Sequence, residues 1–486
     1  MMNPLPTGPG HPPEELGISA MTSPAAPTSR RFLAFLGLLA LAWAAFCFRV
    51  SWLRWQAWDL GVDTAFWAQL LYRHSLGLGW TVTVMTEETM DLFRFHVHLL
   101  LYPLSWLFAV VPHPLTLSAV VHLAHAGGAV LAGLLAHRLA GGDERTGVAA
   151  AVVFLLHPQL ALAQTTYDFS FRHLAPLLLP GAALTAAAGR PAATVGLLAL
   201  LVAGSEELAL TAAFFLFALA WTWPADRRWY APAGAAFLLY LGLLIPLGIS
   251  GHAFGRYAHL AAGPGETLAV LGSGGKGRYL LGMLGPLLAL PLLRPTPMLL
   301  AALPAAAQNL LSASTDTGLL GHHYGAALGT VLLIASLHSA ATLGPAWRRG
   351  LLAGLALLGV GLSLFVVPTL GWAWEGVDPR LAELAGNLDP LSGLIPPDAS
   401  LSAPPAVAAR FWRRPALYYF PLKLAEADLV VLPKYLPGYP AFSAAELAGF
   451  DRRLQASPDH QMIYENADLR LYRRLAADPD PKGVLR

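Results

Sequence analysis

Long apolar runs recur between residues 32 and 370, and that recurrence constrains this chain more than any other feature. The first is "FLAFLGLLALAWAAFCF", residues 32–48. Ten more follow near 115–137, 147–163, 174–189, 191–205, 208–223, 231–249, 279–293, 297–312, 326–343 and 351–370. A helix needs about 20 apolar residues to cross the hydrocarbon core of a bilayer. In lipid every backbone amide must also be satisfied within the structure, so a run of this kind is read as a helix. The expectation is an all-α polytopic membrane protein of about eleven transmembrane helices. Composition agrees, since only 12% of the 486 residues are charged, against about 25% in an ordinary soluble domain. A net charge of +2, with basic residues scattered singly or in pairs, argues against a nucleic-acid partner. Cys47, the single cysteine, can form no intrachain disulfide.

The flanks and connections suggest an orientation. Residues 1–29 are rich in Pro, Gly and Ser and read as a disordered cytoplasmic tail. Arg30 and Arg31 then precede a run that is long for a signal peptide and lacks a clean cleavage site, so a retained first helix is expected. With the N-terminus inside, the inner turns hold Arg138 and Arg145, Arg190, Arg227 and Arg228, Arg294, and Arg348 and Arg349. This is the distribution the positive-inside rule asks for. "VHLLLYPLSWLFAVV", residues 97–111, is too short to span, and as a span it would invert every later turn. It is read as an interfacial or re-entrant helix on the outer face. The membrane domain is then residues 30–370, with a first outer loop at 51–114. After residue 370 short β-rich runs between Pro and Asp turns predict an extracytoplasmic α/β domain, 371–486, as a lid or packing unit over the membrane site.

This topology gathers the unusual polar residues on the outer side. Asp59, Asp63, Glu87, Glu88, Asp91, Arg94, His96 and His98 fall in the first outer loop. Asp168, Arg172 and His173 fall in the second, Glu206 and Glu207 in the third, and Asp316, His322, His323 and Tyr324 in the fifth. Ionisable groups near membrane depth are costly and usually line a cavity, so these are the candidate site residues. Each has a plainer alternative. Asp59 could cap the helix that "LGVDTAFW" begins, "EETMD" could be a solvated loop face, and "GHHY" could snorkel at the interface. His96 and His98 share a face on a strand but not on a helix, which makes them weak metal candidates. The adjacent carboxylates of "GSEE" are the hardest to explain by solvation. "LGSGGKGRY", 271–279, lacks phosphate-loop spacing and is read as a flexible outer loop.

The order of "WDLGVDTAFW", "FRFHVHLLLYPLSWLFAVVPHPLTL", "YDFSFRHLAPLLLP", "GSEELAL", "GHHYGAALGTVLLIASL" and "IPPDASLSA...YYFP...ADLVVLP" resembles the membrane-protein family called domain of unknown function 2079, from about residue 32 to 475. That family is distantly similar to the GT-C glycosyltransferases, which include the protein mannosyltransferases and lipid A aminoarabinose transferase. The resemblance implies a GT-C-like fold and transfer of a sugar from a polyprenyl-phosphate carrier, with an acidic residue just after the first helix taking part. Asp59 stands at that place. The family's usual segment reads closer to "FDLGIFDQ", and a lysine usually precedes the acidic pair that here reads "GSEE".

Such chemistry needs a base for the acceptor proton and donors for the leaving phosphate. Asp59 is the first candidate base and Asp63 the second. Arg172, His173 and His322 are candidates for the phosphate. Glu206 or Glu207 could orient sugar hydroxyls or bind a divalent metal, and Asp168, His323 and Tyr324 complete the substrate-binding set. The lipid bilayer and a polyprenyl-phosphate sugar are the expected partners, in a bacterial or archaeal cell membrane. A transporter or flippase, or a catalytically inactive scaffold, remains the alternative.

Overall fold

The computed structural model describes residues 28–247, 255–273, 275–434 and 442–475; the tail expected to be disordered lies outside this set except for its last two residues. The first helix, α1 (Arg30–Gln56), is capped by Ser29, whose hydroxyl accepts from the Phe32 amide at 3.1 Å. Phe32, Leu36, Ala40, Ala44, Cys47 and Val50 form one buried stripe along it, while Leu33, Phe35, Leu38 and Leu41 are exposed on the other side. A spacing of three to four residues puts one stripe on one helix face. The small residues in this stripe let α1 lie against α4 (Pro114–Leu139), where Ala40 and Ala44 meet Ala126.

The α4 helix is the hub of the bundle, packing on α1, on α5 (Glu144–Leu155) and on α7 (Ala175–Ala187). Gly128 makes the α4/α7 crossing possible, because a Cβ there would run into the backbone carbonyl of Pro176. Gly128→Ala should therefore push the helices apart and cost about 1–3 kcal/mol. Thermal unfolding in detergent checks this against Gly37→Ala, whose added methyl meets nothing within 4 Å.

The helical reading of the apolar runs is matched by helices, but the count of eleven clean spans is not. Among the described residues three helices are long and apolar enough to cross a membrane: α1, α4 and the first 20 residues of the helix Pro345–Val366. The run at 147–163 is a bent pair, α5 and α6 (Pro158–Thr165), with a 51° break. Pro158 disfavours helical geometry at His157, and the chain turns there. The next helices, α7, α8 (Pro191–Gly204) and α9 (Ala209–Thr222), have 13, 14 and 14 residues, and α10 (Arg227–Leu244) has 18. The runs at 279–293 and 297–312 break into short helices and 3-10 turns around Pro286, Pro291 and Pro297, with Leu288 and Ala289 in left-handed geometry. Proline removes an amide and clashes with the preceding turn, which is why apolarity alone overcounts continuous helices here. The glycine-rich stretch is not all loop either: Lys276 starts a helix and is buried, its ammonium donating to the carbonyls of Asn309, Leu310 and Ser312. The segment at 97–111 forms α3 (Leu101–Val110), 10 residues long. At 1.5 Å per residue it reaches about 15 Å, half of the hydrocarbon thickness.

The C-terminal part carries a five-stranded mixed sheet in the order β4-β3-β5-β7-β6: β3 (Leu401–Ala403), β4 (Leu417–Tyr419), β5 (Leu429–Pro433), β6 (His460–Glu465) and β7 (Leu469–Arg474), with β1 (Thr81–Val82) and β2 (Met90–Asp91) a separate antiparallel pair between α2 and α3. Strand β3 pairs in parallel with β4 and β5; β7 runs antiparallel to both its neighbours. This sheet shares its core with the segment that links α1 to α4. Trp58, Phe66, Trp67, Leu71 and Val82 belong to the same buried cluster as Leu401, Val407, Leu417 and Leu429. Polar contacts join the two: the Thr83 hydroxyl donates to the Leu417 carbonyl at 2.7 Å and the Tyr419 amide to the Val84 carbonyl at 2.8 Å. The helix α2 (Val62–Ser75) lies between them and the membrane bundle.

Candidate functional site

The end of α1 and the start of α2 make a sharp corner, and the site is built on it. Trp58 takes a left-handed conformation, φ 55°, and its indole N–H donates to Asp389 at 3.1 Å. Arg54, in the last turn of α1, reaches around the corner: its Nε donates to the Asp59 carboxylate at 2.8 Å and its Nη2 to the Asp59 carbonyl at 2.6 Å. Arg54 is buried, whereas the Asp59 side chain is 35% exposed and faces open space. Asp59 is thus not the cap of α2. Gly61 holds the N-cap position, and Asp168 supplies the acceptor from another loop, taking the Thr64 amide at 3.2 Å. A side chain at 61 would meet that carboxylate at 2.9 Å, which accounts for the glycine.

In the first turn of α2, Asp63 accepts a hydrogen bond from the Tyr167 hydroxyl. Asp59 and Asp63 open into a cavity of about 470 Å³, lined also by Trp58, Tyr167, Asp316, His322, His323 and Tyr324. Its far wall comes from the C-terminal part, through Leu381, Leu384, Pro405 and Ala406. The size lies within the range for small-molecule sites. The Tyr167 ring packs against both His322 and His323, at 4.3 and 4.5 Å between centroids, and the His322 ring stacks on Tyr324 at 5.0 Å. Burial raises the Asp63 carboxyl from 3.8 to about 7; the charges of Asp168 and Asp316 add to this, while the Tyr167 hydrogen bond and Arg172 oppose it. Burial and the neighbouring Asp63 hold Tyr167 well above its ordinary range, so it stays a donor.

The structure divides the other candidates. Arg172 stands behind the lining, over the Tyr324 ring at 4.2 Å and ion-paired with Glu207. His173 is fully buried and turned away, with His125 of α4 3.2 Å from it. Asp168 is buried between Arg54 and the α2 terminus. A second cluster forms at the α8/α9 junction. The irregular segment before α3 brings His96 and His98 to one side, rings stacked at 5.1 Å, and the buried Glu206 lies 2.8 Å from His96 Nδ1. Glu87 and Glu88 are exposed.

A family model described as a predicted membrane protein, DUF2079, matches residues 53–436. The chain belongs to the DUF2079 family. Among solved structures, ArnT from Cupriavidus metallidurans bound to undecaprenyl phosphate superposes with a TM-score of 0.56 at 12% identity, over 90% of this chain and 98% of that one. The same protein in the apo state gives 0.53 at 13% identity, over 91% and 100%. Likeness at such identity is one of fold: this DUF2079 protein shares its fold with ArnT. No curated protein matches the sequence.

Three contributions to the cavity of this DUF2079 chain lay beyond sequence reasoning. Tyr167 adjoins Asp168 in "TTYDFS", and nothing in that segment marks it as the partner of Asp63. Asp316 was visible as an outer-loop acid without a role. The apolar wall from residues 381–406 had no local signal, since Leu and Pro there read as ordinary packing.

Proposed function

We propose that this protein transfers a sugar from a polyprenyl-phosphate carrier to an envelope acceptor, in the cavity that Asp59 and Asp63 line. The observation that carries the reading is this pair of carboxylates, on either side of the α1/α2 corner and both lining one half-open cavity, within a fold shared with a protein seen bound to undecaprenyl phosphate. The reading includes a cytoplasmic N-terminus, about eleven membrane passages, some of them through broken helices, and an outer-face C-terminal domain.

In this mechanism a carboxylate takes the proton from the acceptor, the acceptor attacks the anomeric carbon, and the bond from that carbon to the phosphate oxygen breaks. Polyprenyl phosphate leaves with the bonding electrons. A general base works best with a pKa near the operating pH. Asp63, raised to about 7, meets that condition. Asp63 therefore takes the proton, and Asp59, steadied by Arg54, offers its outward oxygen to the acceptor or the sugar. This ranking reverses the one drawn from sequence. His322, His323 and the Tyr324 hydroxyl are lining groups able to donate to the phosphate, with Arg172 one layer behind. Leu381, Leu384, Pro405 and Ala406 present a surface for the apolar part of the ligand.

The test is release of free polyprenyl phosphate from a panel of polyprenyl-phosphate sugars, by the purified protein in nanodiscs supplied with envelope glycolipid acceptors. Release that is lost or strongly slowed in Asp63→Asn is the expected result. Solute uptake into sealed vesicles without any release would overturn the proposal in favour of transport.

A further inference from the structure

The cluster of His96, His98 and Glu206 lies outside the cavity lining, and its geometry suits a different task. Glu206 is fully buried, at 0% exposure, at the start of the 3-10 turn between α8 and α9. One of its oxygens accepts from the Val97 amide at 3.2 Å, and the other faces His96 Nδ1 at 2.8 Å. His98 is also buried, and its Nδ1 lies 2.6 Å from the Gly204 carbonyl. A carbonyl can only accept, so Nδ1 carries the proton and Nε2 keeps its lone pair. A ring nitrogen held by a backbone carbonyl while the other stays basic is the usual setting of a metal-ligating histidine. Phe171 stacks on the His98 ring at 5.2 Å and Trp67 meets it edge-on at 5.4 Å, giving the apolar shell that keeps such a site dry.

One ligand atom from each of the three residues lies within 4.8 Å of the others. Two imidazoles and one carboxylate form a set that Zn²⁺ takes with one position left over. We propose that His96, His98 and Glu206 bind a divalent transition metal of the Zn²⁺ type. The ion takes the place of the proton between His96 and Glu206, and the half-buried His96 marks the side from which it enters.

The site clamps rather than reacts. It ties the segment before α3 to the α8/α9 junction, where the Leu100 amide already donates to the Ala203 carbonyl at 3.2 Å. The next residue, Glu207, holds Arg172 over Tyr324 in the cavity wall. A bound ion would therefore stiffen one wall of the cavity without touching what it holds. This inference stands whether or not the cavity transfers sugar.

The test uses the full chain in nanodiscs, stripped with a chelator, freed of any histidine tag and titrated with Zn²⁺ alone. Metal analysis after desalting should find one Zn²⁺ per chain, and Co²⁺ in its place should show the ligand-field absorption of a four-coordinate site. Thermal unfolding should shift upward by several degrees with Zn²⁺. Glu206→Gln and His98→Ala should lose both the ion and the shift. His96→Asn, at the half-exposed position, serves as a variant with less risk to folding, and it should bind at least tenfold more weakly. Absence of tight Zn²⁺ in the folded wild type, or equal Zn²⁺ affinity in wild type and His96→Asn, would overturn the proposal and leave His96 and Glu206 as a plain ion pair.

Discussion

Asp63→Asn should slow sugar transfer by about 10²–10⁴-fold, the usual contribution of a general base. The amide keeps the shape of the side chain and can still meet the Tyr167 hydroxyl, so the loss should appear in turnover more than in donor binding. The pH profile gives a second reading of the same group. A base works only when deprotonated, so the wild-type rate should fall as pH drops through about 7, where burial has placed the Asp63 carboxyl. Stability should run the other way. A carboxyl whose pKa rises on folding binds more protons in the native state, so stability is lost as pH climbs from about 4 to about 7. Asp63→Asn should flatten that slope and be relatively more stable at pH 8. A rate profile unchanged in position, with full activity in Asp63→Asn, would return the base role to Asp59.

Glu207→Gln should be among the most destabilising polar substitutions in the chain. The Arg172 and Glu207 side chains are only 12% and 9% exposed, and they pair with each other. Removing one charge of a buried pair leaves the other uncompensated, at a cost of about 3–5 kcal/mol. Arg172 would lose its ion-pair partner while still lying over the Tyr324 ring, and the cavity wall would loosen with it. The double substitution Arg172→Met with Glu207→Leu should recover most of the loss, since two apolar groups of similar volume leave no orphan charge. Thermal unfolding of Arg172→Met, Glu207→Leu and the double variant forms the cycle that decides this. Additive effects would mean that the pair does not act as a unit.

The candidate site was legible in kind but not in arrangement. Carboxylates are so few in this chain that Asp59, Asp63, "GSEE" and "GHHY" stood out without any coordinates. Their grouping did not. Asp168 and Asp63 are both outer-loop acids in sequence, yet one caps α2 from across the fold and the other faces the cavity. Arg172 and His173 are neighbours in the chain, but one leans over Tyr324 and the other turns to His125. The weak signal of His96 and His98 became a cluster only when Glu206 arrived from more than 100 residues away. Spacing along a segment reports only contacts within that segment.

For the fold, the sequence by itself determined the solvent and the material: apolar runs with so few charges can be satisfied only as helices in a membrane. It also marked short β-rich runs between Pro and Asp turns toward the C-terminus; helices continue past residue 370 to Leu394, and the sheet begins at Leu401. The tertiary structure decided which runs are straight helices and which are broken, through prolines whose effect depends on neighbours able to satisfy the freed carbonyls. It also decided that the C-terminal sheet shares a core with the segment that links α1 to α4, because burial of Trp58 and Val82 with Leu401 and Leu417 joins segments more than 300 residues apart. Hydrophobicity is local and non-directional, and so can be read residue by residue; close packing and hydrogen bonding are directional, and they exist only once distant segments meet.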